Sequence, residues 1–267
     1  MADWGTYFAG KRVWVTGASS GIGRSLVDAL GSAGVVTVAS ARREVALTEL
    51  AERYPSVHAL TMDIADFDSI EEMAKRAWDI LGGIDVLINN AGVSQRSVFA
   101  ESDPAALQRV LDVDLSGTMR VTHAVLNRML AAGSGHLVAI TSFAARVPTP
   151  VRSAYTAAKM GLHGLFDCIR SEVASRGIAV TLVVPGWVRT DISRNAITAT
   201  GEKHATMDDG LAAGMPADTA AERILTGIAR RRREFSVATT FRFRYGYFMR
   251  RFFPSLFFKM VARAKVT

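Results

Sequence analysis

The sequence predicts an α/β chain built on a parallel sheet with helices on both faces, and three observations carry that reading. Six short apolar runs alternate with helix-forming stretches, the pattern of parallel strands joined by helical crossovers. A glycine-rich turn directly follows the first run, where the chain passes from strand to helix. The 267 residues are 49% hydrophobic and 21% charged, enough to bury a full core. No repeat or low-complexity linker interrupts the alternation, so residues 1–240 read as one body and 241–267 as a basic, aromatic extension of it.

Taken in order, the first strand is Arg12 to Thr16, rich in β-branched residues, and the turn TGASSGIG spans Thr16 to Gly23. Gly17, Gly21 and Gly23 allow backbone angles and close approaches denied to other residues, Ser19 and Ser20 lie between them, and a helix begins near Ile22. Its N-terminus offers unpaired N–H groups and partial positive charge to a phosphate. The second strand, VVTVA (35–39), leads to Ala41, Arg42 and Arg43. An acidic side chain at such a strand end would accept hydrogen bonds from ribose hydroxyls; here guanidinium groups suit a 2′-phosphate instead. The third strand, HALTM (58–62), ends before Asp63 and Ile64, and the fourth, IDVLI (84–88), before NNAG, which is Asn89, Asn90, Ala91 and Gly92. The fifth, HLVAI (136–140), delivers Ser142, and the sixth, AVTLVV (179–184), delivers Pro185, Gly186, Val188 and Thr190.

Between the last two strands lies SAYTAAKM, with Tyr155 and Lys159 four residues apart and Ser142 thirteen residues before Tyr155. Residues i and i+4 share a helix face, so the Lys159 ammonium can sit by the Tyr155 phenol. A cation near a phenol favours its ionised form, which suits it to general acid–base work.

Together, TGASSGIG, NNAG, Ser142, Tyr155 with Lys159, and PGWVRT (185–190) resemble the short-chain dehydrogenase/reductases in order and spacing, over roughly residues 11 to 240. The resemblance implies a single-domain doubly wound (Rossmann) sheet of about seven strands, a nicotinamide cofactor, and hydride transfer to or from a carbonyl carbon. In that reading Ser142 hydrogen-bonds the substrate oxygen, Tyr155 exchanges its proton, and Lys159 holds the nicotinamide ribose and steadies the tyrosinate. Asp63 would hold the adenine with Ile64 beside it; Asn89 to Gly92 would line the adenosine ribose, and Val188 and Thr190 would approach the carboxamide. With Arg42 and Arg43, NADP(H) is the expected cofactor, ahead of NAD(H). No metal is expected.

One position departs from the family pattern: Asp114 stands where an asparagine usually completes a proton relay to the lysine through its backbone carbonyl, held by a local helix distortion. The carboxylate keeps the backbone role available and adds a charge that can raise the pKa of Lys159 or pair with another cation. Phe143, Val147, Pro148, Ile192, Ile197, Leu211 and Met215 make the substrate-facing loops apolar, which points to a small hydrophobic carbonyl or alcohol. The stretch around residues 195–215 is similar to a subgroup with membrane-associated reductases of steroids, retinoids and lipid ketones.

Charge is concentrated at the end. Residues 230–267 carry eleven Lys or Arg and one acid, a formal +10, so the preceding 229 residues sum to about −3 of the net +7. Ten of the 22 aromatic residues fall in the same stretch, broken at Pro254. Interleaved in this way, they suggest amphipathic segments at a lipid interface, with packing on a partner subunit or over the active site as the alternative. Nucleic-acid binding has no other support in the chain. The lone Cys168 excludes an internal disulfide framework, fits a reducing compartment, and is expected to be a buried small residue. Neither a signal peptide nor a stretch of 18 apolar residues is found, so a cytoplasmic location, with membrane association on the cytoplasmic face, is expected. A homodimer or homotetramer is expected from the resemblance. A non-catalytic dinucleotide sensor or a membrane-recruited scaffold is the alternative function, motivated by Asp114 and the tail.

Overall fold

The computed structural model describes residues 4–263; residues 1–3 and the last four of the basic extension, 264–267, lie outside them. After the short helix α1 (Trp4–Phe8), strands and helices alternate: β1 (Arg12–Thr16), α2 (Gly21–Ser32), β2 (Val36–Ala41), α3 (Glu44–Arg53), β3 (Val57–Thr61), α4 (Ile70–Leu81) and β4 (Val86–Asn89). A long helical stretch follows, made of α5 (Pro104–Leu111), a π-helical segment (Asp112–Gly117) and α6 (Thr118–Ala132). Then come β5 (Gly135–Ile140), α7 (Ser153–Glu172), β6 (Ile178–Pro185), β7 (Val188–Arg189), α8 (Asp209–Ala212), β8 (Met215–Pro216), α9 (Ala217–Ala229) and β9 (Glu234–Val237). Helices α10 (Phe241–Phe252) and α11 (Pro254–Arg263) end the described chain, with the sequence break at Pro254 between them.

Seven strands form one sheet in the order β3-β2-β1-β4-β5-β6-β9, and every neighbouring pair is parallel. The doubly wound expectation is therefore met. The period-two alternation of strands sorts β1 between two cores: Val13 and Val15 face α2, α3 and α9, while Trp14 faces α4, α6 and α7. One core packs Leu26, Leu30, Ile224 and Leu225 against the sheet, the other Val121, Met129, Leu162 and Phe166, all essentially enclosed. Each such side chain contributes about 1.5–3 kcal/mol through burial. The strand order reverses between β1 and β4, and in doubly wound sheets ligands bind beyond the strand carboxyl ends at that point.

Cys168 corrects an expectation: it is exposed. In the second half of α7 the buried positions are Leu162, Phe166 and Ile169, and Cys168 falls on the outer side beside exposed Asp167.

Candidate active site

The glycine-rich turn is shaped by β4. Gly17 has φ +69°, and a Cβ there would lie 2.7 Å from the Ala91 Cα, so this approach requires glycine. Asn90 braces the turn, donating from Nδ2 to the carbonyls of Thr16 (3.0 Å) and Gly17 (3.2 Å). A Cβ at Gly23 would lie 2.3 Å from that same Nδ2, which lets α2 start close under the strand. Ser20 caps α2 without a side-chain hydrogen bond to it, leaving the first-turn N–H groups to a ligand.

Around this turn lies a cavity of about 210 Å³, lined by Gly17, Ser19, Ser20, Arg42, Arg43, Asp63, Ile64, Ala91 and Gly92 among others. Arg43 reaches back to the turn, donating to the Ser19 Oγ and carbonyl at 3.0 Å, and Arg42 Nη1 stands 3.8 Å from Asp63 Oδ2. Asp63 Oδ1 accepts the Ala65 N–H at 3.0 Å. Two anticipated residues stand elsewhere. Asn89 is buried, donating to Thr122 Oγ1 at 3.1 Å, and Asn90 serves the turn, so both stand behind the cavity wall rather than in it.

A second cavity, about 250 Å³, holds Ser142 and Tyr155 together with Ile22, Pro185, Gly186, Val188 and Thr190. The walls of the two cavities adjoin at the start of α2, where Ser20 lines the first and Ile22 the second, and a Cβ on Gly21 between them would approach the Thr190 side chain to 3.0 Å. Ser142 leaves β5 in extended backbone and accepts the Ala144 N–H at 3.1 Å, fixing its Oγ at the cavity wall. Tyr155 rides on α7, 7% exposed, with Lys159 one turn on and its Nζ 5.7 Å from the ring centre. Apolar lining comes from Phe143, Val147, Trp187, Ile192, Leu211 and Phe243. Ile197 and Met215 pack into the protein interior instead, and Pro148 does not line the cavity.

Asp114 is fully enclosed in the π-helical segment, the distortion anticipated there. Its Oδ2 lies 3.1 Å from Lys159 Nζ and its Oδ1 accepts the Val93 N–H at 2.7 Å. Burial alone would lower the Lys159 pKa, but the Asp114 carboxylate, helped by Tyr155, reverses this and the net shift is upward. Burial also raises the Asp114 pKa, against the pull of Lys159 and the Val93 N–H. The two shifts favour opposite protonation states of the pair; a short contact on each carboxylate oxygen fits the charged one.

A family model for short chain dehydrogenases matches residues 11–200. The chain belongs to the short-chain dehydrogenase/reductase family. It is 35% identical over 266 residues to bovine dehydrogenase/reductase SDR family member 7B, covering 96% of this chain and 82% of that protein. A dehydrogenase/reductase SDR family protein 7-like from Drosophila melanogaster is also 35% identical, with 96% and 81% covered. Among solved structures, a short-chain dehydrogenase from Streptomyces avermitilis superposes with a TM-score of 0.79 at 29% identity, covering 96% of this chain and 99% of that one. The fold alone is shared with a Burkholderia phymatum short-chain dehydrogenase/reductase in complex with NAD, at a TM-score of 0.83 and 22% identity, with 94% and 96% covered.

As a short-chain dehydrogenase/reductase, the chain is an oxidoreductase acting on CH–OH or C=O groups of a small molecule, with a fold that binds a nicotinamide dinucleotide. Several residues lining its cavities are not among those the sequence singled out as site residues: Asn195 and Lys203 in the cavity of Arg42, and Arg152, Asp208, Trp187 and Phe243 in the cavity of Ser142 and Tyr155. Lys203 sat in a stretch already singled out as substrate-related, where its charge was the available signal. Phe243 comes from α10, about a hundred residues after Phe143, and no local pattern announces their contact at 4.5 Å.

Proposed function

We propose that this chain is an NADP(H)-dependent oxidoreductase for a hydrophobic carbonyl/alcohol pair of steroid-, retinoid- or lipid-like character, with Tyr155 as general acid and base. One observation carries the reading: Ser142 and Tyr155 share an apolar cavity that abuts a phosphate cradle flanked by Arg42 and Arg43. The cradle fits a dinucleotide by its close-packed Gly17 and Gly23 and by the exposed start of α2. Bound there, the nicotinamide supplies or accepts hydride.

In the reducing direction Ser142 Oγ donates a hydrogen bond to the carbonyl oxygen, and the Tyr155 phenol gives that oxygen its proton as negative charge develops. Lys159, kept charged by Asp114, stabilises the phenolate left behind. Arg42 and Arg43 hold the 2′-phosphate, and Ala41 leaves no carboxylate at the strand end to repel it. Ser19, Ser20 and the first turn of α2 hold the pyrophosphate; Asp63 and Ile64 face the adenine, and Pro185, Gly186, Val188 and Thr190 the nicotinamide. A homodimer or homotetramer and peripheral contact with the cytoplasmic face of a membrane through α10 and α11 complete the reading; among the described residues, no helix is long and apolar enough to cross a membrane.

NADPH absorbance followed over a panel of aliphatic and steroidal ketones, aldehydes and alcohols tests it, with NADH in parallel. Charged hydrogen bonds contribute about 1.5–3 kcal/mol, so NADPH should be preferred by about 10–100-fold. Tyr155→Phe should keep NADPH affinity and lose about a hundredfold or more in turnover. Near-normal turnover by this variant would remove Tyr155 from the mechanism, and equal use of NADH would remove the assignment to Arg42 and Arg43.

A further inference from the structure

The substrate cavity is apolar along most of its wall, yet Arg152 and Asp208 stand together on one side of it. Asp208 is shared. Arg152 Nη2 reaches its Oδ2 at 3.0 Å, while Nη1 donates to Thr149 Oγ1 at 3.2 Å. From behind, Arg96 presses on the same Asp208 oxygen. The Arg96 side chain is only 5% exposed, and beyond this ion pair its guanidinium nitrogens are enclosed without a hydrogen-bond partner among the described residues.

One carboxylate between two guanidinium groups leaves one positive charge over. Neighbouring charges do not absorb it. Lys159 is matched by Asp114, Arg146 by Glu234, and Arg194 by Asp191, while Asp208 is the only acid on the cavity wall among the described residues. Enclosed charge without a counterion is costly, and burial depresses both arginines, Arg96 to about 10 with Arg152 as the further cause. Of the two, Arg152 faces the cavity. Arg96 compensates Asp208 from inside and so frees Arg152 for a second anion.

We propose that Arg152 is the anion-binding subsite of this cavity, so that the substrate is amphipathic: an apolar chain along Phe143, Trp187, Leu211 and Phe243, and a carboxylate or phosphate monoester on Arg152. This rests on the oxidoreductase reading and narrows its substrate class. Arg152 stands immediately before α7 and lines the same cavity as Tyr155, three residues on. The anion therefore lies a few bonds from the reacting carbonyl.

Three ketones with matched chains test the proposal: 4-oxodecanoate, its methyl ester and 4-oxodecyl phosphate. At least one anion should exceed the ester in kcat/KM by about 10–100-fold, expressed in KM, because charge-assisted bonds to arginine are worth that much. The preferred anion identifies the headgroup. Arg152→Met should bring the ratio of anion to ester close to one, and Arg152→Lys should retain part of it. A wild-type ratio near one, or one unchanged in Arg152→Met, would overturn the subsite and leave Arg96, Asp208 and Arg152 as a structural clamp between loops. Calorimetric titration of decanoate and decyl phosphate into the NADP⁺-loaded protein separates this from hydride chemistry. Binding that disappears in Arg152→Met upholds the subsite even if no ketone is reduced, an outcome that would instead count against the oxidoreductase reading; no binding of either ligand overturns the subsite.

Discussion

Asp114 shows what one carboxylate can do inside the candidate active site. Fully enclosed, it holds Lys159 at 3.1 Å and the Val93 N–H at 2.7 Å, and Gly92 leaves room for both groups, since a Cβ there would sit 3.1 Å from Asp114 and 3.2 Å from Lys159. The Lys159 pKa is raised in the folded protein, so its charge persists to high pH and is lost only above that value. In Asp114→Asn the burial that lowers the lysine pKa remains and the opposing carboxylate is gone. The alkaline limb of the kcat profile should therefore move about 1–3 units toward neutrality, with little change on the acid side. An unmoved alkaline limb would mean that Asp114 does not set the lysine charge. At this scale the sequence was partly legible. Ser142, Tyr155 and Lys159 could be named from the family resemblance, two of them on one helix face and the third just beyond a strand, and Asp114 stood out as a departure from it. Its direct contact with Lys159 depends on how the π-helical segment turns the side chain inward, which spacing does not encode. Arg96 and Asp208 lie 112 residues apart in loops, and nothing near either predicts the other.

Elements were easier to read than their ends or their partners. All six apolar runs are strands, because a sheet covered on both faces needs continuous apolar segments, and boundaries moved by only a residue or two. The seventh strand, β9, hid in a charged stretch: only Phe235 and Val237 are buried, and its polar neighbours tolerate the sheet edge. The sequence offers helix α10 three duties, at a lipid interface, on a partner subunit or over the active site, and its inner face lies along the cavity that holds Ser142 and Tyr155. Phe243 packs edge-on against Phe143 at 4.5 Å and Trp187 at 4.9 Å, forming part of the cavity that holds Ser142 and Tyr155, while Met249 is buried a turn and a half further on. Each aromatic pair adds about 0.5–1.5 kcal/mol beyond area burial. Phe243→Ala should accordingly raise KM for long-chain ketones by about tenfold and lower thermal stability modestly, measured by steady-state kinetics and melting curves. An unchanged KM would show that α10 merely covers the site from outside.

For the whole molecule, the outer face of that same helix poses the larger question. Phe241, Tyr245, Phe248 and Phe252 recur at helical spacing and are all exposed, from 45% at Tyr245 to 79% at Phe241. Phe253, Leu256, Phe258 and Met260 continue the apolar surface onto α11. Arg242, Arg244, Arg251, Lys259 and Arg263 flank it, and residues 241–263 contain no acid. So large an exposed apolar surface calls for a covering, and its positive rim suits anionic lipid headgroups. Each basic residue near such a surface contributes about 1 kcal/mol, so four or five engaged together would hold the protein there at physiological salt. The protein should co-sediment with vesicles containing phosphatidylserine, far less with phosphatidylcholine alone, and lose attachment as salt rises. Deleting the tail is a poor control, because Phe243 and Met249 would leave the cavity wall and the core with it. Replacing Phe241, Tyr245, Phe248 and Phe252 with Ser keeps those contacts and should release the protein from the vesicles. If neither protein sediments and the substitutions instead split an oligomer on size-exclusion chromatography, the surface belongs to a second copy. With lipid beneath α10, Phe243 on one side of a single helix and the aromatic stripe on the other would set the substrate cavity within a helix diameter of the bilayer, about 10–12 Å, where an amphipathic ketone would already be concentrated.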